Sequence, residues 1–360
     1  MPLSHDILRQ CTHHFIKNGT TSSGTVRWRC TRCGTSKSAR RPRSKVNHQL
    51  AFFRDYLTHY DTRQRVAERH ESGGRSRSTL YRRIRPFLDT VLPPLSIPHS
   101  DTPSRAAIML DGFYIAYPSI KEHRHLPGAK TATSILLLAI DAYTHEPLHW
   151  HIYQRFEDVR AWNMFFAELV KLGFSPKYLV HDGHSGIQRA SAIYLPEARH
   201  QRCLVHMVRG AHRKLGITPK SPLARQLQSL IHHLVTVRTH AGKAVWLAAW
   251  GDYLAAFEYA ESTNTPQTNA LRGLKAILMH AYERDELFTF LDEPGLPHTS
   301  NAIESRNRVL REALRRHRGM TLSQREAMVS WLLLLQQTDD LTVIRKHYET
   351  TRNGATLCDT

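Results

Sequence analysis

A chain of 360 residues, 41% of them apolar, has material for two or three domains and sizeable cores. Its formal net charge of +19 points to an anionic partner, most simply nucleic acid. No apolar run approaches the roughly 20 residues of a membrane span, the first residues lack the apolar stretch of a signal peptide, and five cysteines are too few for a disulfide framework at this length; composition therefore predicts an intracellular, cytoplasmic chain.

The charge is uneven. Residues 1–90 hold 19 Lys/Arg against 6 Asp/Glu, so the first quarter reads as a grip on phosphate. Within it, Cys11-x-x-His14 and Cys30-x-x-Cys33 flank turn chemistry and a returning strand, "KNGTTSSGTVRWR". Two close ligand pairs joined by a hairpin predict a zinc ribbon, with Cys11, His14, Cys30 and Cys33 around one tetrahedral ion. His14 gives the usual spacing; His13 is the alternative. Trp28, between Arg27 and Arg29, either touches DNA or packs under the hairpin. A basic linker, "SKSARRPRSK", closes this unit at residue 45.

Residues 46–93 read as a helix-turn-helix DNA-binding domain. Leu50, Phe53 and Leu57 have helical spacing. Asp61 or Thr62 caps a short helix, "ESGGRS" breaks it, and a second helix starts near Ser78. Arg77, Arg82, Arg83 and Arg85 make that helix the candidate reader of the major groove. Prolines 93, 94, 98 and 103 mark a linker to the next unit.

Next come three strands (105–117, 131–143, 147–154), an amphipathic helix (158–173), a strand (176–183) and another helix. Asp111 sits within the first strand, where an unpaired carboxylate faces a large desolvation cost that a metal ion would remove. Asp182 ends the fourth strand. Asp141, before "THEP", reads as a turn residue. This order matches an α/β, ribonuclease-H-like core, in which the first and fourth strands lie side by side and bring Asp111 to Asp182. The core is assigned to 104–206 and 298–325, an all-helical insertion to 207–297, and C-terminal helices to 326–360. Cys203-x-x-His206 is a candidate ligand pair without evident partners. It is equally well read as a buried strand residue followed by a helix start. Leucine and aromatic stripes between 223 and 282 are core-forming.

"SNAIESRNRVLREALRRHRG" (300–319) reads as one helix with six arginines and two acids. Local chemistry predicts Asn301 as its cap, Glu304 as the partner in a capping box, and Arg308 as an ion-pair partner one turn on. "MLDG", "VHDGHSGI", "CLVH" and "TSNAIESRNRVLREALRRHRGM", in that order, resemble the DDE transposases of bacterial insertion sequences related to Mutator-like elements, over about residues 105–325.

That resemblance implies Asp111, Asp182 and Glu304 as catalytic acids, and Cys203 and His206 as a signature of unassigned role. It implies Mg²⁺ or Mn²⁺ as cofactor, two ions in number. It also implies strand cleavage and 3′-hydroxyl strand transfer on DNA, with Arg306, Arg308 and Arg311 on the phosphates. Bound to its element's terminal repeats, such a chain acts as a dimer or larger assembly at the nucleoid. Two rivals share these features: a former transposase kept as a DNA-binding regulator, and a metal-dependent nuclease that cuts without joining.

Overall fold

A computed structural model describes residues 11–20, 26–38, 43–58, 65, 66, 68, 77–95, 106–116, 133–260, 266–317 and 319–358. Its centre is a five-stranded sheet built from β4 (Ala107–Ala116), β5 (Ser134–Asp141), β6 (Pro147–Tyr153), β7 (Tyr178–His181) and β8 (Arg199–Arg202), in the order β6-β5-β4-β7-β8. The three consecutive strands pair antiparallel, whereas β7 lies parallel to β4 and β8 parallel to β7. β4 and β5 are apolar on both faces, as strands covered on both sides must be. Period-two alternation sorts their side chains into separate cores. Ile108, Leu110, Ile135 and Leu137 pack under α3 (Val159–Lys171) and α4 (Ser185–Tyr194) through Trp162, Phe165, Phe166 and Ile187. Met109, Phe113, Leu136 and Leu138 face the other way.

That second face is covered by helices that come before and after the sheet in the chain. α1 (Arg43–Thr58) and α2 (Arg77–Leu88) share one core with α9 (Asn301–Arg316), α10 (Leu322–Gln337) and α11 (Leu341–Cys358). Phe53 stacks on Phe87 at 4.9 Å, and Trp331 meets Phe53 edge-on at 5.1 Å. α10 is buried all round, with Glu326 to Leu334 enclosed, so it forms the hub of this layer. The helix-turn-helix segment is therefore not a free-standing unit. A boundary at 45/46 falls inside α1, and one at 325/326 falls inside α10. The expected proline linker also starts later than residue 93. Leu92 N–H donates to Ser330 Oγ, and Leu95 N–H to Gln337 Oε1, both at 2.9 Å. Of the short helix expected at 61–70, only residues 65, 66 and 68 are described, and they are helical.

A separate apolar core joins α5 (Leu204–Leu215), α6 (Pro222–Leu234), α7 (His240–Ala260) and α8 (Pro266–Glu283). This helical insertion starts at Leu204, a few residues earlier than the sequence suggests, because Leu204 and Met207 already belong to its core. It returns through a short 3₁₀ turn (Thr289–Leu291) to α9. At the N-terminal side, β1 (Phe15–Thr20), β2 (Val26–Cys30) and β3 (Ser36–Ser38) form a small antiparallel sheet. Among the described residues, no helix is long and apolar enough to cross a membrane.

Candidate active site

The parallel pair β4·β7 places the first two acids. Met109 stands opposite Val180, and both face the core beneath α9 and α10. The ladder ends at this pair; Asp111 stands two residues on in β4 and Asp182 just past the end of β7, close enough for the Asp182 charge to act on the Asp111 carboxyl. The Asp111 carboxyl is pushed up to about 8, first by burial and then by the negative charges of Asp182 and Glu157. Its Oδ1 accepts from Gly112 N–H at 3.0 Å, and its Oδ2 from Asn307 Nδ2 at 2.7 Å. Asn307 is a buried residue of α9, so the Glu304 helix is tied directly to the strand that carries Asp111.

Asp182 leaves the end of β7 and turns at Gly183, whose φ is +91°. His184 N–H donates to Asp182 Oδ1 at 2.8 Å. A Cβ on Gly183 would lie 2.2 Å from Arg202 Cζ, so glycine is required there both for the turn and for the approach of the guanidinium. Burial lowers the Arg202 pKa, opposed by the charges of Glu286 and Asp182. Asp141 is a turn residue as expected: its Oδ1 accepts from the N–H groups of Tyr143 and Thr144, both at 2.8 Å.

Glu304 behaves differently from the local expectation. The helix is capped at Ser300 without a side-chain bond, so Asn301 is its first residue and no capping box forms. Glu304 instead pairs with Arg209 of α5 and lies 3.5 Å from His206. Cys203, at the start of α5, completes the group: one ligand atom each from Cys203, His206 and Glu304 lies within 4.8 Å of the others. Ser300 N–H donates to Cys203 Sγ at 3.1 Å. Burial raises the Cys203 thiol pKa, but hydrogen bonds from His206 and Ser300 outweigh it, and the net shift is downward. The Cys203 hydrogen bond raises His206, with the charges of Glu304 and Asp182 adding to it. Cys203 is buried directly after β8 and is the N-cap of α5, and His206 stands in that helix's first turn, as the second of the two readings expects. The signature joins the beginning of the insertion to the beginning of α9.

One carboxylate escaped the sequence reading. Glu157 packs so close to β4 that a Cβ on Gly112 would lie 2.6 Å from its Cδ. Burial pushes its carboxyl up, and Asp182 adds to this against the pull of His184. Trp162 Nε1 donates to Glu157 Oε1 at 3.2 Å. The sequence signal was a Glu-Asp pair before a helix. Asp158 is the N-cap, accepting from Ala161 N–H at 2.8 Å, which leaves Glu157 free to turn inward.

In the N-terminal sheet, Cys11, His13, Cys30 and Cys33 have ligand atoms within 4.8 Å of one another. His13 therefore takes the place expected for His14. The extended chain leading into β1 puts Cys11, His13 and Phe15 on one side and His14 on the other. Phe15 pairs with Cys30, while His14 lies beside Thr31, 3.5 Å from its hydroxyl. Three sulfurs and one imidazole nitrogen are a donor set suited to zinc.

Of the arginines assigned to DNA, Arg27, Arg29, Arg82, Arg308 and Arg311 are exposed, Arg83 is half-buried, and Arg85 is exposed but paired with Asp89. The side chain of Arg77 lies outside the described residues. Arg306 is half-buried and donates to the His145 carbonyl, and burial lowers its pKa, so it anchors α9 to the β5–β6 turn.

A family model described as "Transposase, Mutator family" matches residues 138–338. No curated protein matches the chain. A solved structure, the Drosophila P element transposase strand transfer complex, aligns over 85% of this chain and 80% of its own at 14% identity, with a TM-score of 0.31, too low to carry an argument. On the family match, which spans more than half of its length, the chain belongs to the Mutator family of transposases.

Proposed function

We propose that the chain is a DDE transposase with a ribonuclease-H-like core. In this reading it binds the terminal inverted repeats of its element, cuts 3′ ends, and joins them to target DNA. The strand order and directions of the central sheet are those expected of that core. The observation that supports the reading most is the Asn307–Asp111 hydrogen bond, which docks the Glu304 helix on β4 next to its parallel neighbour β7, the strand that leads into Asp182.

Asp111, Asp182 and Glu304 would hold Mg²⁺ or Mn²⁺, two ions in all, because carboxylate oxygens are hard donors. The fit is electrostatic: burial, and then the charges of Asp182 and Glu157, raise the Asp111 carboxyl, and a divalent cation is the group that would relieve them. Bound there, such ions supply Lewis-acid stabilisation and an activated oxygen nucleophile for phosphoryl transfer. Asn307 fixes the Asp111 carboxylate. The His184 N–H fixes Asp182 after the turn at Gly183. Glu304 joins them by turning from Arg209 and His206. Arg308 and Arg311, exposed on α9, hold DNA phosphates beside the site. Cys11, His13, Cys30 and Cys33 would hold zinc, which braces the N-terminal sheet for binding the repeats together with Arg27, Arg29, Arg82 and Arg83. Joining two ends calls for a dimer or larger assembly on DNA.

The test is cleavage of DNA carrying the element's ends in Mg²⁺. Alanine at Asp111, Asp182 or Glu304 should each reduce cutting by at least ~10³-fold while leaving repeat binding within a few-fold. A wild-type chain that binds without cutting would be a regulator; one that cuts without joining would be a nuclease.

A further inference from the structure

We propose that Cys203, His206 and Glu304 form a second metal site, for a thiophilic divalent cation and zinc above all, and that filling it withdraws Glu304 from the acid set. The inference rests on the function proposed above, in which Glu304 serves the reaction.

The donor set is the first argument. Sulfur, imidazole nitrogen and one carboxylate oxygen suit zinc, whereas magnesium takes oxygen almost exclusively. The second is geometry: the three ligand atoms already lie within 4.8 Å of one another, so small side-chain movements bring them to one ion. The third is an unmet need. Glu304 Oε1 is buried and accepts no hydrogen bond, while facing His206 at 3.5 Å. Its other oxygen is taken by Arg209.

The backbone holds the site in place. Cys203 N–H donates to the His181 carbonyl at 2.7 Å, and Leu204 N–H to the His298 carbonyl at 3.1 Å. Glu304 N–H donates to the Ser300 carbonyl at 3.1 Å. Cys203 and His206 are three residues apart at one helix start, on neighbouring positions of the helix surface. A cation has a route in: His206 lines a cleft with Asp182, Arg202, Met207 and Gly210. Glu304 Oε1 faces His206 and its other oxygen pairs with Arg209, so a cation that fixes Glu304 here competes with a hard cation at the acids, each weakening the other by the same factor.

The experiment uses the full chain, stripped with chelator and titrated with Zn²⁺ alone. Wild type should bind one zinc more than Cys203→Ser, and Glu304→Gln should hold that ion at least ten-fold more weakly. Glu304→Gln keeps shape and volume, so it decides the matter if Cys203→Ser fails to fold. Equal stoichiometry and affinity in wild type and Glu304→Gln would overturn the site. Mn²⁺ binding, followed by its paramagnetic resonance signal, should weaken at least ten-fold once the extra zinc is in place. Unchanged Mn²⁺ binding would overturn the withdrawal of Glu304. If the extra zinc behaves as expected but a chain holding only its N-terminal zinc never cuts DNA in Mg²⁺, the metal site stands and the transposase reading fails.

Discussion

Asp111 carries the sharpest consequence at the scale of single residues. Its carboxyl stands near 8 in the fold against an ordinary value of 3.8. The folded protein therefore favours the protonated form. The stability this confers is full below the ordinary value and is lost as pH rises through the interval up to about 8. In chelator, the melting temperature of wild type should fall across that window relative to Asp111→Asn, which has no charge to develop. At pH 8 the variant should melt higher by several degrees, since each ~1 kcal/mol moves a domain of this size by roughly 2–4 °C. Parallel melting curves of the two proteins from pH 4 to 8 would show that Asp111 is not crowded by its neighbours. The identity of the acid was legible from its place in an apolar strand. Its neighbours were only partly so. Glu157 was hidden because helix-start acids usually cap. The Arg209 and His206 contacts of Glu304 were hidden because they bridge about a hundred residues, which local capping rules do not see.

At the scale of elements, the N-terminal sheet and the central sheet differ in what sustains them. β4 and β5 announced themselves through continuous apolar runs, and both faces are indeed covered. The small sheet has no such core. Ile16 is 49% exposed, and no described residue before Leu50 belongs to the three apolar cores. With so little buried apolar area, the three short strands would lean on the zinc proposed for Cys11, His13, Cys30 and Cys33. Chelation, or Cys30→Ser, should erase the β1–β2 amide protection from hydrogen exchange while the β4–β5 amides stay protected. Loss of protection in both sheets at once would mean that the small sheet leans on the rest. Cysteine spacing revealed this module, whereas the choice of His13 over His14 depended on which side of an extended chain each ring falls, one residue being enough to reverse it. The helix-turn-helix pattern was legible as helices but not as packing. The apolar residues of α2 and the C-terminal helices complement each other across about 240 residues, as in the Trp331 Nε1 bond to the Phe87 carbonyl at 2.7 Å.

At the scale of the whole molecule, positive charge is spread over separate surfaces: β2, α2 and α9. Arg27, Arg29, Arg82, Arg308 and Arg311 are the exposed arginines assigned to phosphate. With about 0.9 counterions released per neutralised phosphate, five such contacts give a slope of log affinity against log salt of about −4 to −5. Alanine at both Arg27 and Arg29 should flatten that slope by about 2, measured on repeat DNA between 50 and 200 mM salt. An unchanged slope would remove β2 from the interface. A different consequence follows from the way the helical insertion is attached. Its chain leaves at Cys203 and comes back at Ser300, and those two residues touch, 97 positions apart. The helices of the block have their own core, while residues 285–292, on the way back to the neck, are bonded to β8 through Arg199, Gln201 and Arg202. The helices can be lengthened, trimmed or exchanged as a cassette, so long as the neck that seats Glu304 and this return segment are kept.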